Sequence, residues 1–182
     1  MRKACFIDRD GVINVETSYL SDPEHVEIIP GVPQAVKLLH KHGFMTVVVT
    51  NQAGVARGFY PEAAIQPVHD RIQELLWEQA GVKLDAFFHC PHHPDFTGEC
   101  ACRKPAPGML LAAAKQFDLD LAGSFLVGDR LSDIGAAENA GCGAAYLVKT
   151  GYGEQVIAEE NTSGIKITDN LLSAVKNFLG LN

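Results

Sequence analysis

Five short apolar runs recur along the chain, at Ala4–Ile7, Thr46–Val49, Ala86–His89, Phe125–Val127 and Ala144–Val148. They are hydrophobic at nearly every position, which suits strands covered on both faces better than strands with one face in water. Helical spacing fills the intervals at Val32–His40, Pro61–Gln79, Gly108–Phe117 and Asp133–Ala140, with a last helix near Leu171–Phe178. Pro67 is expected to kink the second helix. Strand and helix in alternation predict an α/β fold, a three-layer sandwich with a central parallel sheet. Ligands in such folds gather beyond the carboxyl ends of the strands, so the residues that follow each run are the ones to read for chemistry.

The 182 residues, 47% apolar and 20% charged, supply one full core, and a single domain over residues 1–182 is expected. The longest apolar runs, such as Met45–Thr50, fall far short of the about 20 residues that cross a bilayer. The N-terminal MRKACFIDRD stops being apolar at Asp8 and reads as a first strand, not a cleavable leader. A net charge of −7 gives no support for a nucleic-acid backbone as partner, while a local basic patch can still hold a small phosphorylated molecule. Five cysteines, with three between Cys90 and Cys102, indicate a metal site in a reducing compartment, and a cytoplasmic location is expected. Cys5 and Cys142 lie outside that group and read as core or near-core thiols.

The first strand ends in Asp8-Arg9-Asp10-Gly11. Two carboxylates two residues apart, where the chain leaves the sheet, can divide labour: one attacks while the other moves protons. In isolation such a motif is ordinary turn chemistry. The fourth run also ends in acid, Gly128-Asp129-Arg130-Leu131-Ser132-Asp133, and a parallel sheet brings both ends to one edge. Concentrated carboxylate oxygens facing a phosphate call for a hard cation such as Mg²⁺, with Asp129 as a direct ligand. Asp133 has two readings, support for that site or a helix N-terminal acid.

The second run ends in Thr50-Asn51-Gln52-Ala53-Gly54, where a hydroxyl, amides and backbone N–H groups can surround phosphate oxygens. Lys104, in Cys102-Arg103-Lys104-Pro105, falls before a predicted helix whose N-terminus faces the same edge, so its ammonium can neutralise both an attacking carboxylate and a phosphoryl group. Upstream, Cys90-Pro91-His92-His93 and Cys100-Ala101-Cys102 form two arms that can close four ligands around Zn²⁺. Cys90, Cys100, Cys102 and one histidine, His92 in preference to His93, make a closed set with no place for water, hence a structural site. It would offset the ordering entropy of a long loop, residues 90–102, and fix the residues that follow.

With these motifs in order, DRDG at 8–11, Thr50, Lys104 and GDRLSD at 128–133, the sequence resembles the haloacid dehalogenase superfamily. DRDGVIN, VVVTNQAGVARG, CPHHP, CACRKPAPGMLLAAA and VGDRLSDI are similar to the D-glycero-D-manno-heptose 1,7-bisphosphate 7-phosphatase family, with histidinol-phosphate phosphatases as its near relatives. The resemblance implies a Rossmann-like fold without a large cap domain and removal of the 7-phosphate of a heptose bisphosphate through an aspartyl-phosphate, in nucleotide-activated heptose biosynthesis. It implies Asp8 as nucleophile and Mg²⁺ ligand, Asp10 as acid/base that lends a backbone carbonyl to the metal, and Asp129 as the last protein ligand. Thr50 and Lys104 would stabilise the phosphoryl group, and Cys90, His92, Cys100 and Cys102 would hold Zn²⁺. Substrate contacts would fall at Glu16, Thr17, Ser18, Tyr19, Thr50, Asn51, Gln52, Ala53, Arg103 and Lys104, with Arg103 reading the second phosphate or the sugar. A monomer acting on a small phosphorylated sugar is expected. The alternatives are a histidinol-phosphate phosphatase and a zinc-stabilised protein that binds a phosphorylated ligand without hydrolysing it.

Overall fold

The computed structural model describes residues 1–181. Six strands, β1 (Lys3–Ile7), β2 (Phe44–Asn51), β3 (Ala86–Cys90), β4 (Phe125–Gly128), β5 (Ala144–Val148) and β6 (Lys166–Thr168), form one sheet in the order β3-β2-β1-β4-β5-β6. All neighbours pair in parallel, as strands joined through helical crossovers must. The helices are α1 (Val32–Lys41), α2 (Ile65–Ala80), α3 (Pro94–Thr97), α4 (Gly108–Phe117), α5 (Leu131–Ala140), α6 (Gly153–Glu159) and α7 (Leu171–Leu179).

Alternate residues of the central strands serve two cores. Cys5, Ile7, Val48, Phe125 and Val127 face α1, α2 and α7, where Phe125 stacks on Phe178 at 3.9 Å between ring centroids. Ala4, Phe6, Val47, Val49 and Leu126 face α4 and α5. Each wholly buried Phe, Ile or Leu contributes roughly 1.5–3 kcal/mol, so the central strands β1 and β4 are held from both sides.

The chain lays β1, β2 and β3 outward in one direction, then returns through α4 to place β4 on the other side of β1. The sequence order therefore reverses between β1 and β4, and the crevice at their carboxyl ends is a topological switch point. Ile7 pairs with Val48 on one side and Val127 on the other, and the next amide, that of Asp8, donates to the Val127 carbonyl at 3.0 Å. The connection from β1 to α1 carries only a 3₁₀ turn at Pro23–His25 among the described residues, in accord with the expectation of no large cap.

Three details differ from the sequence reading. Helix α2 runs unbroken from Ile65, preceded by a separate 3₁₀ turn at Glu62–Ala64, and Pro67 causes no kink. Pro67 occupies the first turn, where its missing N–H removes no helical hydrogen bond. Strand β6 and helix α6 were not expected: β6 has three residues, largely exposed at the sheet edge, and α6 has seven, both too short for a periodic signal. The cluster around 90–102 gains a one-turn helix, α3, capped by the side chain of His93.

Candidate active site

Strand ends deliver the acidic residues. Asp8 follows β1 and Asp129 follows β4, while Asp133 enters from the first turn of α5; all three are buried, and their nearest carboxylate oxygens lie within 4.8 Å of one another. Lys104 comes in from the loop before α4. Its Nζ stands 2.9 Å from Asp8 Oδ1 and 2.6 Å from Asp133 Oδ1, and donates to the Val49 carbonyl at 2.7 Å. The Lys104 backbone is pinned in both directions by Asn51, whose Oδ1 accepts from its N–H at 3.0 Å and whose Nδ2 donates to its carbonyl at 3.1 Å. Asp133 Oδ2 accepts from the Arg130 amide at the head of α5, while Oδ1 pairs with Lys104.

Three buried carboxylates around one ammonium leave an excess of negative charge. Burial pushes the Asp8 carboxyl up to about 7, with Lys104 opposing and Asp133 reinforcing the rise. Burial, with Asp8 and Asp133 beside it, carries Asp129 to about 8. For Lys104 burial alone would lower the pKa, but Asp133 and Asp8 outweigh it and hold the ammonium well above its ordinary range. Asp129 Oδ2 accepts from the Tyr152 amide at 2.8 Å, whereas its Oδ1 is buried without a hydrogen-bond partner among the described residues. An orphaned carboxylate oxygen beside two further acids is the donor set a hard divalent cation fits.

Two glycines from distant segments close on Asp129. A Cβ at Gly11, where φ is +81°, would stand 2.3 Å from Asp129 Oδ2, and one at Gly151, where φ is +61°, 2.2 Å from the same atom. Both positions need the absent side chain and the left-handed backbone that glycine adopts freely.

Asp8 and Asp133 of the acid cluster line a cleft of about 340 Å³. Of the expected residues, Asp8, Asp10, Glu16, Ser18, Tyr19, Thr50, Asn51, Gln52, Ala53, Arg103 and Lys104 line it; Thr17 lines the adjoining groove instead. Asp10 is gripped by the wholly buried Arg9, whose Nη2 reaches Oδ2 at 2.8 Å and whose Nε reaches Oδ1 at 3.1 Å. Gln52 organises the wall beside it. Its Nε2 donates to Asp10 Oδ2 and Thr50 Oγ1, and its Oε1 accepts from Arg9 and from Tyr60 at 2.7 Å.

Sequence reasoning missed five cleft residues, Arg57, Tyr60, Arg130, Ser132 and Tyr152, and weighed His93 only as a zinc ligand. Arg57 and Arg130 lie inside the motifs that drew attention, and Tyr152 follows β5 at the same sheet edge, so the rule about strand ends could have found it. Arg9 was passed over because an arginine beside an acid pair reads as solvated, whereas here it is completely buried.

The second cluster stands beside the cleft. Cys90, His92, Cys100 and Cys102 offer ligand atoms within 4.8 Å of one another. Cys90 Sγ lies 3.5 Å from Cys100 Sγ, and His92 Nδ1 lies 3.4 Å from Cys102 Sγ and 3.7 Å from Cys90 Sγ. Tetrahedral Zn–S bonds of about 2.3 Å imply ligand–ligand edges of roughly 3.8 Å, close to these separations, while the Cys90–Cys102 edge is tighter at 2.8 Å. His92 belongs to this cluster and His93 does not: the His93 ring caps α3 and lines the cleft. Burial alone would raise the Cys100 thiol, but hydrogen bonds from the Arg103 amide and the neighbouring thiols bring it down to about 6. No helix among the described residues is long and apolar enough to cross a membrane.

The parallel sheet with its switch-point carboxylates, a buried lysine and a hydroxyl on one cleft define a hydrolase of phosphate monoesters in the HAD-like class. A family profile described as HAD-hydrolase-like matches residues 101–174. A D-glycero-beta-D-manno-heptose-1,7-bisphosphate 7-phosphatase of Haemophilus ducreyi is 39% identical over 178 residues, 96% of this chain and 97% of its own. One from Photorhabdus laumondii, named for the alpha anomer, is 40% identical over 96% of this chain and 95% of its own. A crystal structure of D,D-heptose 1,7-bisphosphate phosphatase from B. bronchiseptica, complexed with magnesium and phosphate, is 39% identical, covers 98% of both chains and superposes with a TM-score of 0.87. The chain belongs to the D-glycero-D-manno-heptose-1,7-bisphosphate 7-phosphatase family.

Proposed function

We propose that this chain, acting as one phosphatase domain, removes the 7-phosphate of D-glycero-D-manno-heptose 1,7-bisphosphate through an aspartyl-phosphate on Asp8. The observation that carries the reading is Lys104 Nζ held 2.9 Å from Asp8 Oδ1 at the switch point, above two more buried acids. The Asp8 Oδ1 atom also accepts from the Arg9 amide at 2.8 Å, which leaves Oδ2 free to turn toward phosphorus. In the first displacement Oδ2 forms the new P–O bond, the ester bond to the sugar oxygen breaks, and Asp10 passes a proton to that oxygen. In the second, Asp10 takes a proton from the attacking water, the acyl phosphate opens at phosphorus, and Asp8 is restored with release of inorganic phosphate. Lys104 and Thr50 face the phosphoryl oxygens and balance their charge throughout.

Asp8, Asp129 and the Asp10 carbonyl would hold Mg²⁺, with Asp133 in support. Mg²⁺ held there would supply positive charge opposite the phosphoryl oxygens and favour the ionised form of Asp8. The thiols of Cys90, Cys100 and Cys102 with His92 would hold a structural Zn²⁺. The product suits nucleotide-activated heptose synthesis, and reduced cysteines together with a small anionic substrate suit a monomer working in the cytoplasm.

The test is a side-by-side assay with Mg²⁺ on both anomers of the heptose 1,7-bisphosphate and on histidinol phosphate. The reading predicts that a bisphosphate is turned over with the highest kcat/KM. Preference for histidinol phosphate would reassign the substrate, and phosphate release from none of them would favour a non-catalytic binding protein.

A further inference from the structure

The chain has six arginines and a net charge of −7, so arginines are expected to find carboxylates. Arg9 and Arg71 do. Arg2, Arg57, Arg103 and Arg130 have no carboxylate partner among the described residues, and three of those four line the one cleft. On the reading proposed above, the transferring phosphate would face Lys104 and the carboxylates of Asp8 and Asp129. Three further guanidinium groups exceed what a single phosphate needs.

Arg57 is the least expected of the three, since its backbone belongs to the loop after β2 while its side chain is steadied by another segment. Its guanidinium lies over the Phe96 ring at 5.1 Å from the centroid, and its Nη2 stands 3.3 Å from His93 Nε2. His93 Nδ1 already accepts from the Asp95 amide in capping α3, so the imidazole proton sits on Nε2 and the ring packs against Arg57 without taking a hydrogen bond from it. Phe96 and His93 both sit in the Cys/His loop, within or beside α3. Neither contact neutralises the guanidinium. A planar, pre-aimed fork left uncompensated in a cleft matches a phosphate group.

We propose that Arg57 is a specificity-determining residue that holds the phosphate not transferred, with its aim set by Phe96 and His93 of the Cys/His loop. This rests on the bisphosphate reading above and goes beyond it by naming a residue and a support.

The experiment measures kcat and KM of the full chain on heptose 1,7-bisphosphate and on heptose 7-phosphate, which lacks the remote phosphate. The variants are Arg57→Ala, Arg57→Lys and Phe96→Ala, with Arg2→Ala as an unpaired arginine outside the cleft. A charge-assisted hydrogen bond is worth about 1.5–3 kcal/mol, so Arg57→Ala should lower the ratio of the two kcat/KM values roughly 10- to 100-fold, chiefly through KM for the bisphosphate. Arg57→Lys should recover part of the ratio, Phe96→Ala should lower it in the same direction by about threefold, and Arg2→Ala should leave it as in the parent. If the unaltered chain prefers the bisphosphate but Arg57→Ala changes both substrates equally, or changes neither, the assignment of Arg57 is overturned. If the unaltered chain shows no preference for the bisphosphate, the parent reading falls and takes this one with it.

Discussion

The carboxylate cluster and the Cys/His cluster stand side by side at the carboxyl edge of the sheet and are built in opposite ways. Asp8, Asp129 and Asp133 come from positions up to 125 residues apart and are brought together by the strand order alone. Cys90, His92, Cys100 and Cys102 lie within 13 residues and meet through one loop. The first set has hard oxygen donors, among them Asp129 Oδ1 with no hydrogen-bond partner among the described residues, and a cleft above it. The second is soft, closed upon itself and tied to the cleft only through its neighbours Arg103, His93 and Phe96. A site that must admit substrate keeps unsatisfied groups and strained charge; a site that only shapes a loop does not.

That contrast can be broken most forcefully at Asp8. Asp8→Asn removes the attacking oxygen's charge, and turnover should fall by at least about a thousandfold while circular dichroism and melting temperature stay near those of the parent. The opposite pattern is expected at the other cluster. Cys100→Ser should lower the melting temperature by about 5 °C or more through loss of a thiolate ligand, and should raise KM more than it lowers kcat.

Gly151→Ala separates the metal's support from the chemistry. Its new methyl group would meet Asp129 Oδ2, whereas Gly164, which has a similar positive φ and nothing within 4 Å, pays the same backbone cost without that collision. Titration of Mg²⁺ onto the protein should show weaker binding by about tenfold in Gly151→Ala and little change in Gly164→Ala, since a collision of one methyl with a ligand costs on the order of 1–3 kcal/mol.

The smallest effect concerns pH. Asp8 and Asp129 titrate near 7 and 8 in the metal-free chain, above the ordinary carboxylate range. Groups with raised folded pKa values contribute stability below their unfolded pKa and lose it as pH rises through the folded one. The metal-free chain should therefore lose this contribution between about pH 4 and 8, and Mg²⁺, which requires the ionised acids, should offset the loss. The gain in melting temperature on adding Mg²⁺ is expected to be a few degrees larger at pH 8 than at pH 6.

Legibility in the sequence followed the same division. The Cys/His cluster could be read from spacing, and His92, the histidine preferred there, is the one gathered with the three cysteines while His93 caps α3. The acidic site was readable as strand ends that a parallel sheet must align, so Asp8 and Asp129 could be named from fully apolar runs and their polar ends, and Lys104 from its place before a predicted helix. The burial of Arg9 and the reach of the Tyr152 amide could not. Whether an arginine is buried against its neighbour, or a loop amide reaches a carboxylate, depends on packing across segments that leaves no periodic trace. Short edge elements such as β6 and α6 escaped for a related reason, having too few residues for a pattern to repeat.

The most direct trial is an acid quench of the chain during turnover of bisphosphate labelled at the 7-phosphate, with Mg²⁺ present, followed by peptide mapping. A hydroxylamine-labile phosphoryl label on the peptide that carries Asp8, absent when Mg²⁺ is withheld, is the predicted result. Turnover without any label on the protein, or with the label on another residue, would contradict the account.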